Sequence, residues 1–200
     1  NSRPEERVAE LRQNGKVQPR RFKNVSILFI DVVGFSIIAE QISPEALIAE
    51  LDYYYKSFDQ IISKYGLEKI KTIGDAYLAV AGLPQPNSRH ALDTVLAARE
   101  IQDLVKNEKQ KRSKTGASFF EIRIGIHSGE AIAGVVGLSK FAYDIWGNDV
   151  NLAARMESAC ETGEINISES TYQLVKSEFK CRHRGKLAVK NAGETDMYFV

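Results

Sequence analysis

The chain has 200 residues, 44% of them hydrophobic, and a formal net charge of +1. That size and composition suit one globular domain with a short appended segment. The charge is too small for nucleic acid to be the main partner, since a phosphate-backbone binder carries a clear basic excess. No apolar run approaches the ~20 residues that span a bilayer, and no signal-peptide pattern opens the chain. Cys160 and Cys181 lack metal-ligand spacing, and a reduced intracellular chain explains them most simply. The chain starts at Asn1 without a methionine, so an upstream regulatory or sensor domain is expected in a longer protein.

Residues 1–23 are polar, with Val8 and Leu11 spaced for one weak helical face before Gly15 and Pro19. They read as the end of a connecting helix and a linker, which leaves 24–200 for the main domain. Val25 to Ile30 is a continuous apolar run, the pattern of a strand covered on both faces. A helix is expected to open directly after Asp31, over Val32 to Ser36. Ser43-Pro44-Glu45 is a second helix start, with a cap residue, a proline at the first helical position and an acid near the positive dipole end. That helix should run to about Tyr65 and stop at Gly66. A hairpin follows, Glu68–Ile73 and Ala76–Ala81, turning at Gly74-Asp75 and ended by Pro84 and Pro86. Ala91 to Val105 is helical, with Leu92, Val95, Leu96 and Ile101 in one stripe.

Phe120, Ile122, Ile124 and Ile126 alternate with Glu121, Arg123, Gly125 and His127, which predicts a half-buried strand with Arg123 on its polar face. Gly129 opens a second strand through Val136. Gly137 to Asp144 reads as a loop or arm, and Asn148 as the cap of a helix from Asp149 to about Cys160. A short strand (Glu164–Ile167), a helix capped by Ser168, and closing strands around Phe179–Arg182 and Thr195–Val200 complete the chain. Hairpins beside crossover helices imply an α+β fold, helices packed on a mixed but largely antiparallel sheet.

The chemistry starts with Asp31 and Asp75. The first ends an apolar strand and the second sits in a tight turn. Two such carboxylates brought together hold divalent cations against a polyphosphate, and Ile30 adds a backbone carbonyl beside them. Each acid alone equally suits a local role, Asp31 capping the next helix and Asp75 serving its turn. After Asp31, the free N–H groups around Phe35 and Ser36, with Gly34 allowing close approach, suit a phosphate cradle. Asn151 and Arg155 are four apart on a predicted helix and share one face.

These segments together resemble the class III nucleotide cyclases. Phe29-Ile-Asp-Val-Val-Gly-Phe-Ser36 and Lys69-Ile-Lys-Thr-Ile-Gly-Asp-Ala-Tyr77 are similar to the family's two metal motifs. Arg123-Ile-Gly-Ile-His-Ser-Gly129 and Tyr143 to Glu157 are similar to two more, in order and with family-like spacing over roughly Pro19 to Val200. The resemblance implies the class III catalytic fold, a ferredoxin-like or palm-type sheet, and a lyase that makes a cyclic nucleotide for signal transduction with two Mg2+ or Mn2+ per site. It assigns Asp31 and Asp75 as metal ligands, Asn151 to the ribose, Arg155 to the transition-state phosphate, and Arg123 and Lys190 to the triphosphate. Ser36 stands where many relatives carry threonine.

Lys71 and Asp144 match the positions where adenylyl cyclases carry lysine and aspartate. A lysine donates to adenine N1 and a carboxylate accepts from the exocyclic amine, whereas guanine meets donor against donor. ATP is therefore the expected substrate. The resemblance also implies a head-to-tail homodimer with two shared sites, because Lys71 beside the cations of its own chain would repel them. A cytoplasmic domain, free or membrane-anchored, follows. A guanylyl cyclase, a silent nucleotide-binding regulator and a palm-type polymerase are the competing readings. His127 is read as structural. Trp146, Phe141 and Tyr53 to Tyr55 are read as packing or interface residues.

Overall fold

The apolar run from Val25 to Ile30 lies inside β1 (Arg20–Val33), near the centre of an eight-stranded sheet. The computed structural model describes residues 18–137, 142–189 and 193–200. After β1 come α1 (Phe35–Gln41), α2 (Pro44–Lys64), β2 (Glu68–Ile73), β3 (Ala76–Ala81), α3 (His90–Thr115) and β4 (Glu121–Val136). The chain continues through β5 (Ala142–Trp146), α4 (Asn148–Ser158), β6 (Ile165–Ser168), α5 (Glu169–Val175), β7 (Arg182–Val189) and β8 (Gly193–Phe199). The sheet order is β2-β3-β1-β4-β6-β8-β7, with β5 paired to β4. Among the described residues only β4 and β6 run parallel, joined through β5 and α4, and the other pairings are antiparallel. This is the expected α+β architecture.

The middle of β1 is mostly apolar because both of its faces are covered there. Leu28, Ile30 and Val32 pack with Tyr54 and Phe58 of α2 and Val95 and Ile101 of α3. Val25 and Ile27 point the other way, toward Val150 and Ala153 of α4 and Ile145 of β5. The start of α2 is as its sequence implies: the Ser43 hydroxyl accepts from the Ala46 N–H at 3.2 Å, and Pro44 opens the first turn.

Several elements differ from expectation. β1 begins at Arg20, so the last residues assigned to the linker belong to the sheet, while residues 1–17 lie outside those described. It also runs on through Val33, and α1 starts only after Gly34, whose left-handed φ of 68° ends the strand. β4 is one strand of 16 residues rather than two, because Gly129 stays in register opposite Val25 and the irregularity falls in β1, between Phe22 and Val25. α3 extends ten residues beyond Val105 to Thr115. That half has no apolar stripe, and it is held by ion pairs of Arg112 with Glu108 and Glu50 and of Lys109 with Glu121. The arm ends in a strand, since Ala142–Trp146 pairs with β4, and Gly147 rather than Asn148 is the cap of α4. The penultimate strand is longer and later than expected, at Arg182–Val189.

The other face of β4 is not half-buried as its alternation implied. α4 lies directly on it, admitted by two glycines. A Cβ built on Gly125 would stand 2.0 Å from the Glu157 backbone nitrogen, and one on Gly129 would stand 2.3 Å from the Asp149 carboxylate. The spacing matches in length: the eight residues from Asp149 to Glu157 rise about 12 Å along a helix, and the four from Gly125 to Gly129 cover about 13 Å of strand. Gly125→Ala is therefore expected to destabilise the fold by about 1–3 kcal/mol through overpacking. Urea unfolding monitored by circular dichroism checks this, and an unchanged midpoint would contradict the close approach.

Candidate active site

Strand pairing brings the two acids together. Asp31 lies opposite Ala76, and the Val32 N–H donates to the Asp75 carbonyl at 3.2 Å. Asp75 itself sits in the β2–β3 turn after Gly74, whose φ of 57° is the left-handed conformation that glycine adopts without cost. Tyr55 of α2 donates its hydroxyl to the Gly74 carbonyl at 3.1 Å, tying the turn to the helix. Burial, then hydrogen bonding to Asp31 and the charge of Asp31, raises the Asp75 carboxyl above its ordinary range.

Arg123 reaches Asp31 from β4, with Nη2 to Oδ2 at 2.9 Å. The same nitrogen lies 3.9 Å from a Glu157 oxygen on α4. Glu157 is a third carboxyl at the site, and it was not among the expected residues. It is only 7% exposed. Its signal in the sequence is its spacing: Val150, Ala153 and Glu157 fall on the buried side of α4, where a glutamate stands at an apolar position. Burial, followed by hydrogen bonding to Asp31 and the charge of Asp31, raises its carboxyl from the usual 4.5 to about 8.

The donor set suits a hard divalent cation. Carboxylate oxygens crowd one another here, and a cation relieves that repulsion. Among the described residues no group of three or more His, Cys, Asp or Glu side chains is arranged around one metal position. Asp31 and Asp75 would therefore supply the protein ligands, with phosphate oxygens and water to complete the shell. Ile30 buries its side chain in the core and offers only its carbonyl. Gly34 and Ser36 are exposed and Phe35 is partly buried, at the start of α1 beside the acids.

Lys71 and Asp144 form a second pair. Lys71 Nζ donates to Asp144 Oδ2 at 2.8 Å, joining β2 to β5 although the two strands are not neighbours in the sheet. The Lys71 side chain is 41% exposed and that of Asp144 14%. One donor and one acceptor thus stand together at an accessible edge. Asp144 also accepts from the Ile145 N–H at 2.8 Å, which fixes its carboxylate.

Asn151 and Arg155 are exposed on the outer face of α4, away from β4. Neither side chain makes a hydrogen bond or ion pair with another described residue. The structure therefore brings together Asp31, Asp75 and Arg123 as one group and Lys71 with Asp144 as another, and leaves Asn151 and Arg155 facing outward. Lys190 and Phe141 lie outside the described residues. His127 is buried and bonded on both ring nitrogens, consistent with a structural role.

Comparison with known proteins converges on one family. The model of the adenylate and guanylate cyclase catalytic domain matches residues 17–200. An adenylate cyclase of Mycobacterium tuberculosis is 36% identical over 195 residues, covering 98% of this chain and 43% of that protein. Guanylate cyclase 32E of Drosophila melanogaster is 40% identical over 197 residues, covering 96% of this chain and 17% of that protein. The chain thus spans less than half the length of these curated relatives. Among solved structures, the adenylyl cyclase CyaB from P. aeruginosa superposes with a TM-score of 0.85 at 33% identity, over 92% of this chain and 95% of that one.

The raised Glu157 carboxyl has a stability consequence with a definite sign. Between about 4.5 and about 8 the folded chain holds a proton that the unfolded chain has lost, so this group makes stability fall as pH rises through that window. In chelator-containing buffer, Glu157→Gln should raise the melting temperature by a few degrees at pH 8 and change it little at pH 5, since each kcal/mol is worth roughly 2–4 °C at this size. An equal shift at both pH values would contradict a buried, proton-holding Glu157.

Proposed function

The chain belongs to the class III adenylate and guanylate cyclase catalytic domains, and on that premise we propose that it converts ATP to 3′,5′-cyclic AMP and pyrophosphate at sites shared by a homodimer. The observation that carries the choice of ATP is the 2.8 Å contact between Lys71 and Asp144. Together they offer a donor for adenine N1 and an acceptor for the exocyclic amine, the polarity that guanine lacks.

In this reading Asp31 and Asp75, with the Ile30 carbonyl, hold two Mg2+ or Mn2+ ions. When bound, those ions supply the positive charge that acidifies the ribose 3′-hydroxyl and neutralises the triphosphate. The chain's own groups do the rest. The N–H groups of Phe35 and Ser36 after Gly34, the Ser36 hydroxyl, Arg123 and Lys190 bind phosphate oxygens. Asn151 orients the ribose so that the 3′-oxygen faces the α-phosphorus in line with the departing pyrophosphate. Arg155 presents a planar fork to the charge that builds on the pentavalent phosphorus, a task for which guanidinium suits better than ammonium.

The location of these groups supports a site completed by a second chain. Asn151 and Arg155 point outward from α4, while Asp31 and Asp75 lie at the sheet with Arg123. A head-to-tail dimer lets the acids of one chain face the purine pair and arginine of the other. Among the described residues no helix is long and apolar enough to cross a membrane, and ATP as substrate fits a cytoplasmic domain under an upstream regulator. GTP is the second reading, favoured by the 40% identity to Guanylate cyclase 32E.

Purified protein incubated with Mn2+ and either nucleotide, with products identified by mass, separates the two readings. Cyclic AMP is expected as the dominant product; cyclic GMP as the main product would overturn the ATP assignment. Asp31→Ala and Asp75→Ala should each abolish turnover, and mixing Asp31→Ala with Arg155→Ala should restore one intact site per heterodimer. Lys71→Glu with Asp144→Cys should cut kcat/KM for ATP about 10- to 100-fold, the worth of a hydrogen bond to a charged group.

A further inference from the structure

Asp149 opens the first turn of α4, two residues before Asn151, and both of its carboxylate oxygens bind β4. Oδ1 meets His127 Nε2 at 2.7 Å, and Oδ2 accepts from the Glu130 N–H at 2.8 Å. The carboxylate occupies the space that a side chain at position 129 would fill. Because a carboxylate only accepts, His127 donates from Nε2, and its Nδ1 faces the Ser168 hydroxyl at 2.6 Å. His127 is 6% exposed, while the Asp149 side chain is 30% exposed.

The other end of α4 is held independently. The Glu157 backbone lies against Gly125, and Asn166 Nδ2 donates to the Met156 carbonyl at 2.8 Å. The helix is therefore a strut pinned at two points about 12 Å apart, with Asn151 and Arg155 displayed between them on the far side. Loss of the Asp149 pin leaves the other in place, so the helix can tilt about its C-terminal end. Such a tilt moves Asn151 most, because it lies nearest the freed end.

We propose that Asp149 is a positioning residue for the reaction, setting through His127 and the Glu130 amide the tilt and rotation of α4 at which Asn151 and Arg155 meet the nucleotide. The proposal rests on the shared-site cyclase reading and assigns to it a residue outside the expected set. Displacement of a reacting group by about 1 Å costs on the order of 100-fold in rate.

The test uses steady-state kinetics and subunit mixing with the Asp149→Ala and Asp149→Asn variants. Asp149→Ala should lower kcat about 10- to 100-fold while KM for ATP stays within about threefold, the pattern of an interaction realised in the transition state. Asp149→Asn should retain kcat within about threefold. Its amide oxygen can accept from the Glu130 N–H while its amino group donates to the other tautomer of His127. In mixing, Asp149→Ala should be rescued by Asp31→Ala, which brings an intact α4, and not by Arg155→Ala. Parental kcat in Asp149→Ala, equal losses in the two variants, or rescue only by Arg155→Ala would each overturn the proposal. Mixing Asp31→Ala with Arg155→Ala is the control for the shared site. If that control stays silent, the shared-site reading falls, and the kcat loss with its rescue by asparagine alone decides the role of Asp149.

Discussion

The close approach of α4 to β4 at Gly125 and Gly129 is the constraint on which the rest of the site depends. A methyl group at position 125 would push the helix backbone off the strand, and one at position 129 would displace the Asp149 carboxylate. Three consequences follow from that one contact. Glu157 is driven into the company of Arg123 and Asp31, the Asp149 carboxylate comes within reach of His127, and the opposite face of α4, with Asn151 and Arg155, is turned outward. The helix thus serves as a template whose inner side stabilises the sheet and whose outer side carries polar chemistry.

The electrostatics around Asp31 are unfavourable by themselves. Three carboxyls share one guanidinium, and burial raises both Asp75 and Glu157 above the ordinary carboxylate range. Packing supplies what electrostatics cannot. Asp31 lies near the end of a strand that buries apolar residues on both faces, and Asp75 is held in its turn by left-handed Gly74 and the Tyr55 hydroxyl. An arrangement that crowds like charges on a rigid sheet is one that gains from a divalent cation. Lys71, by contrast, has its own counter-charge in Asp144, so its ammonium is directed to another carboxylate although the same hairpin carries Asp75.

Much of this was legible in the sequence, for reasons that differ from residue to residue. The β2–β3 hairpin and the limits of α2 follow from local rules, because Gly74, Pro44 and Gly66 dictate backbone geometry whatever surrounds them. The pairing of Lys71 with Asp144 was implied by family resemblance, and the 2.8 Å contact agrees with it. What escaped was tertiary. The polar row Arg123, Gly125, His127, Gly129 reads as a solvent face, since nothing in an alternating pattern says that a helix will lie on glycines. Glu157 was missed for the same reason, its partners being 34 and 126 positions away in sequence (157 − 123 and 157 − 31). The charged half of α3 was missed because it is held by ion pairs and carries no apolar stripe to mark it.

The central claim is that one polypeptide supplies the acids and another the purine pair and the arginine. Its most direct measurement is a crystal structure with a non-hydrolysable ATP analogue and Mn2+. The account predicts the triphosphate against Asp31 and Asp75 of one protomer, with the adenine between Lys71 and Asp144 and the ribose near Asn151 of its partner. An analogue bound entirely within one protomer, or with its phosphates remote from both aspartates, would contradict it.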